Sequence, residues 1–127
     1  MKPAEYLESV KNLLLTDLRI ARHQIVREAE EAGKAYIRAR LTLSDDSFLE
    51  FSEYIEKLSE DEIQITDYSY HWQDKNGRFL RRWDNAPHYP DLENFPHHIH
   101  EGDAKARPGK PVNIFDVLDE IASVINK

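Results

Sequence analysis

The chain has no cysteine, which rules out disulfides, cysteine-ligated metals and a stapled secreted scaffold together. It also has no apolar run approaching the ~20 residues that cross a bilayer. The opening, Met1-Lys2-Pro3-Ala4-Glu5, lacks the apolar core of a signal peptide. A soluble cytoplasmic protein is the expectation. No Gly-rich phosphate loop, zinc-ligand spacing or nucleophile elbow is present, so nucleotide hydrolysis and a zinc-finger role have no sequence support. Positive charge is short as well: 17 Lys and Arg stand against 24 Asp and Glu, a formal net charge of −7. That balance argues against a protein that coats nucleic acid by bulk electrostatics.

What the chain does have is enough apolar content, 40% of 127 residues, for one modest core, and residues 1–127 read as a single domain. Pro3 suits a first helical turn, and Tyr6, Leu7, Val10, Leu13 and Leu14 recur at helical spacing, which predicts an amphipathic helix over 3–16. From Leu18 the pattern turns to period two, although Glu28 to Ala32 would equally suit a helix. After Gly33 the alternation is clean: Ala35, Ile37, Ala39, Leu41 and Leu43 point one way, as on a half-buried strand. Ser44 to Ser47 supplies turn chemistry before a strand over 48–55. Strand following strand without a helical crossover favours an antiparallel meander.

Asn76-Gly77 then predicts a two-residue type I′ turn between strands over 63–73 and 78–85. A loop of that length pairs Asp74 with Phe79, Gln73 with Leu80, Trp72 with Arg81, His71 with Arg82 and Tyr70 with Trp83. One face of the hairpin would carry Tyr70, Trp72, Phe79, Arg81 and Trp83, and the other His71, Arg82 and Asp84. The aromatic face suits core packing, or the stacking of nucleobases. Five prolines between Pro87 and Pro111 predict an irregular ordered loop, and Asn113 with Asp116 caps a last helix lined by Phe115, Leu118, Ile121 and Ile125. The expected fold is therefore α+β, an antiparallel sheet of about five strands packed by N- and C-terminal helices.

Chemistry concentrates between Tyr68 and Gly102, which hold five of the six histidines and three arginines. From His71 to Lys110 seven Lys and Arg face six acids, so this window is nearly neutral while the remainder is strongly acidic. In extended chain His98 and His100 share a face and His97 points away. Such imidazoles can act as general base and acid, hold a divalent metal with His88 or Asp91, or simply hydrogen-bond within the loop. Arg82 can clamp a phosphate or pair with Asp84, and Asp84 and Asn85 suit a turn whose side chains bond backbone.

Three runs carry a family resemblance. Tyr68-Ser69-Tyr70-His71-Trp72-Gln73-Asp74-Lys75-Asn76-Gly77, then Arg82-Trp83-Asp84-Asn85-Ala86-Pro87-His88, then Phe95-Pro96-His97-His98-Ile99-His100-Glu101-Gly102, resemble the TumE-type toxins of prokaryotic toxin–antitoxin pairs. Ile99 stands where a basic residue would be usual. The resemblance implies a small cytoplasmic toxin whose partner is an antitoxin protein, with RNA as substrate and RNA cleavage as the activity. The matching polar positions are His71, Arg82, Asp84, Asn85, His88, His97, His98 and His100.

Three functions follow as expectations. The first is a ribonuclease that needs no metal or other cofactor, with His98 or His100 as base, His88 as acid and Arg82 as phosphate clamp, organised by His71, Asp84, Asn85 and His97. The second is a noncatalytic protein-interaction module, and the third a metal-binding protein through His88, His98 and His100. A basic neutralising partner suits the acidic body, and a homodimer is a further possibility.

Overall fold

The computed structural model describes residues 1–126. Helix α1 (Pro3–Thr16) leads into β1 (Ile20–Glu31), β2 (Lys34–Leu43), β3 (Phe48–Lys57), β4 (Ile63–Gln73), β5 (Phe79–Asp84), β6 (His98–Glu101) and β7 (Arg107–Pro108), and α2 (Ile114–Ile125) closes the chain. All neighbouring strands are antiparallel and lie in sequence order from β1 to β7. The architecture is α+β as expected, but the described residues make a sheet of seven strands rather than five.

The two additional strands come from the segment expected to be irregular. Its prolines sit at 87, 90, 96, 108 and 111, which leaves His98 to Glu101 free to offer backbone groups to β5. Ile99 alternates into the core there while His98 and His100 take the other face. The ambiguous stretch from Leu18 is also settled as strand: β1 pairs with β2 along its length, with two register shifts.

Both helices cover one face of the sheet. Tyr6, Leu7, Val10 and Leu14 of α1, and Ile114, Val117, Leu118 and Ile121 of α2, meet Ile37, Ala39, Leu49, Phe51, Ile55, Tyr70, Trp72 and Trp83 in one buried cluster. The α2 stripe is thus rotated from the expected one: Phe115 is half-buried, against the Tyr6 ring, and Ile125 is exposed. The Asn113 side chain accepts from the Asp116 N–H, as the cap spacing predicted.

The β4–β5 turn differs from its prediction. A type I′ turn needs positive φ at both central residues, and here Gly77 has φ +82° while Asn76 does not join it. Asp74 organises a longer loop instead: its carboxylate accepts the N–H groups of Asn76 and Arg78, and its carbonyl accepts that of Gly77. The longer loop shifts the register by one, so Gln73 pairs with Phe79 rather than Leu80. A bulge at Leu80 shifts it back, and from Trp72 inward the pairs are those predicted. Phe79 consequently packs against His71 on the open face, not with the core aromatics.

Candidate functional site

The sheet face opposite the helices is crossed by two transverse rows of polar side chains. One row runs Gln24, Arg40, Glu50, His71, Arg82, His100, and the next runs Arg38, Ser52, Ser69, Asp84, His98. Each row follows from register alone, because residues directly opposite in antiparallel strands point to the same side. The antiparallel meander therefore places Arg82 between His71 and His100, and Asp84 beside His98.

The rows end under a cover. Tyr89, from the segment between β5 and β6, sets its ring edge-on to both His98 and His100, at centroid distances of 4.9 and 5.5 Å. Beneath it His98 is only 2% exposed and Asp84 5%. Asp84 is the hub: Oδ2 lies 2.9 Å from Arg82 Nε, Oδ1 lies 2.7 Å from His98 Nε2, and Oδ1 also accepts the Ala86 N–H. His98 Nδ1 sits 2.9 Å from the Pro96 carbonyl. His98 Nε2 is close to the carboxylate yet falls outside hydrogen-bond geometry with it.

His100 and Arg82 are the members that reach solvent. The His100 imidazole is held below its ordinary pKa, first by burial and then by the neighbouring His98, with Arg82 and His88 adding to the effect. His71 is lowered too, by burial and then by Arg82. Both rings are thus biased toward the neutral, proton-accepting form at neutral pH. The Arg82 side chain is about half exposed, and its pairing with Asp84 engages Nε.

The other expected site residues are placed differently. His88 is exposed on the covering segment, against the edge of Tyr89. His97 stacks on Tyr68 on the helix-covered side, its Nδ1 2.8 Å from the Tyr68 hydroxyl, and so anchors the segment from the far face. Burial lowers its pKa. Asn85 accepts the Tyr68 N–H and donates to the Thr66 carbonyl, so it ties β5 to β4 where the ladder ends. Asp91 is not part of the cluster; the group of described residues able to converge on an ion is Asp84, His98 and His100.

Sequence reasoning missed Tyr89, Ser52, Ser69, Arg38, Arg40 and Glu50. For all of these but Tyr89 the signal lies in the period-two alternation of β2 to β4, which turns every second residue away from the core. It missed the charge pattern also. Arg22, Arg27, Arg38, Arg40 and Arg82 share the open face with Glu31, Glu50, Glu56, Asp67 and Asp84, and of these acids Glu50 and Asp84 are paired to arginines. Two shallow grooves of about 520 and 340 Å³ run across it, both lined by Glu50 and His71, the first by Arg22 and Arg40 and the second by Arg38 and Arg82. The aromatics Tyr70, Trp72 and Trp83 are buried, which removes them as a stacking surface for nucleobases.

Among the described residues no helix is long and apolar enough to cross a membrane. Compared with curated proteins and with solved structures, the chain finds no match. Residues 10–127 match the family model described as Toxin TumE, and the chain belongs to that family of toxins from toxin–antitoxin systems.

Proposed function

We propose that this TumE-family chain is the toxin of a toxin–antitoxin pair and acts by cleaving single-stranded RNA on its open sheet face, without a metal. The observation that carries the reading is the row in which Arg82 stands between His71 and His100, on a face rich in arginine within an acidic protein. Arg82 is the phosphate clamp, since a guanidinium offers several donors to the oxygens of a phosphorane. His100 is the base that takes the 2′-hydroxyl proton, its lowered pKa keeping it neutral for the task. His88 is the acid that returns a proton to the leaving 5′-oxygen, from a segment near enough for its charge to be felt at His100. The buried pair Asp84 and His98 positions Arg82 and His100 rather than touching RNA. The remaining arginines hold the strand by its phosphates, a contribution that does not require the whole protein to be basic.

The same reading makes residues 1–127 one domain, working in the cytoplasm with an antitoxin protein that is basic where it meets the acidic body. The test is cleavage of a single-stranded RNA by the purified chain in the presence of chelator. Wild type should cut, while Arg82→Lys should lose much of the activity because a point charge does not reproduce a guanidinium fork. Full activity in the Arg82→Lys, His100→Ala double variant would remove the site, and the chain would then be read as a binding module.

A further inference from the structure

Asp84, His98 and His100 each offer one ligand atom, and the three atoms lie within 4.8 Å of one another. Their hydrogen bonding is the informative part. The Pro96 carbonyl can only accept, so His98 Nδ1 must carry the hydrogen that it shares with that oxygen. Nε2 is then the ring atom left to meet Asp84. It is buried, lies outside hydrogen-bond geometry, and stands 2.7 Å from a carboxylate oxygen. Two buried polar atoms that close, with no hydrogen bond between them, are placed to share a cation. An imidazole whose Nδ1–H is held by a backbone carbonyl, leaving Nε2 free to ligate, is the arrangement by which proteins orient a histidine on a metal.

We propose that Asp84, His98 and His100 form a binding site for a transition-metal ion of the Zn²⁺ class. Two imidazoles and one carboxylate favour such an ion over Mg²⁺ or Ca²⁺, which prefer all-oxygen shells. Ligands at ~2.1 Å from one ion lie ~3–3.5 Å apart. The Asp84 and His98 atoms need to open slightly for this, and the His100 ring, which is only partly buried, needs to swing inward. The two rings already meet nearly at right angles, 84°, with centroids 5.1 Å apart, so neither blocks the other's approach to a shared point. Tyr89 roofs the cluster and leaves the remaining positions toward solvent.

This inference rests on the proposed function for one consequence only. An ion takes the His100 lone pair that the cleavage step needs, so occupancy should inhibit the toxin. Binding itself is read without RNA. Co²⁺ added to the full-length, chelator-stripped chain should give the visible absorption of a histidine-ligated ion, saturating at one ion per chain and displaced by Zn²⁺. His100→Ala should weaken that binding at least tenfold, and because His100 is partly exposed the variant should keep the fold, as circular dichroism would verify. His23→Ala, on β1, should leave binding unchanged. Absence of a Co²⁺ signal, or one indifferent to His100→Ala, overturns the site. In the cleavage assay Zn²⁺ should suppress the rate at least tenfold relative to chelator; acceleration would overturn the inhibitory role and make the ion a catalyst. A chain that binds Co²⁺ as described but cuts RNA under no condition sinks the proposed function and leaves the metal site standing.

Discussion

The sheet buries a charged or titratable cluster on each of its faces, and the two are finished differently. On the helix side Glu53 is fully buried, yet its carboxylate accepts from the Tyr6 and Tyr70 hydroxyls at 2.7 and 2.6 Å and from the Ile114 N–H at 2.8 Å. Those donors belong to α1, to β4 and to the first turn of α2, where the helix dipole adds to the stabilisation. On the open side Asp84 and His98 are nearly as buried, but His98 Nε2 has no hydrogen-bond partner. A polar cluster whose bonds are all made fastens three elements together. One left short by a bond holds capacity in reserve for a proton, a substrate or an ion, at a cost to stability.

The largest effect belongs to the open face and is purely kinetic. His100→Ala should lower RNA cleavage by about 10²–10⁴-fold while the urea midpoint stays near that of wild type. A matching loss of stability would erase the distinction between the clusters. Glu53→Ala should do the reverse, lowering unfolding free energy by about 3–5 kcal/mol through a cavity and unpaired buried donors, with the folded fraction still cutting at the normal rate. Tyr70→Phe removes one of those bonds and should cost about 1.5–3 kcal/mol in the same titration.

Burial raises the Glu53 pKa, and its donors offset only part of that shift. The folded value then lies above the unfolded one, so Glu53 contributes stability that is fully present below the unfolded carboxylate pKa and is lost as pH rises through the folded value. Urea titrations across the acid-to-neutral range should show this decline in wild type and a flatter profile in Glu53→Gln. The smallest effect on stability should come from Arg38→Ala, which breaks an exposed pair with Glu50 and should cost no more than about 1 kcal/mol. Its mark should appear in RNA binding, where losing one phosphate contact lowers the salt slope by ~0.7 for a single strand.

Glu53 also shows where sequence reasoning stops. It occupies an apolar phase of β3, between Phe51 and Ile55, and that misfit was the visible signal of a buried carboxylate. Nothing local names Tyr6 or Ile114 as its partners, 47 and 61 residues away along the chain. The hairpin gives a second instance. Asn76-Gly77 correctly marks a turn, but Asp74 makes it one residue longer, and only the bulge at Leu80 restores the pairing of His71 with Arg82. The histidine run was correctly split into faces from its extended spacing. That it would be strand β6 was hidden by the prolines around it.

Periodicity, turn residues and the Asn113 cap are local properties, set by side-chain direction and backbone φ. From them the sequence alone determined the two helices, the β2 and β3 strands, the antiparallel order and the presence of a His/Arg-rich segment. The burial of Asp84 and His98 under Tyr89, the gathering of arginines on one face and the three-way clasp on Glu53 are properties of register and layer packing. They depend on which distant backbones lie side by side, and many segments of different spacing satisfy the same local rules. Only the tertiary structure could choose among them, because the free energy that separates those arrangements resides in contacts between residues far apart in the chain.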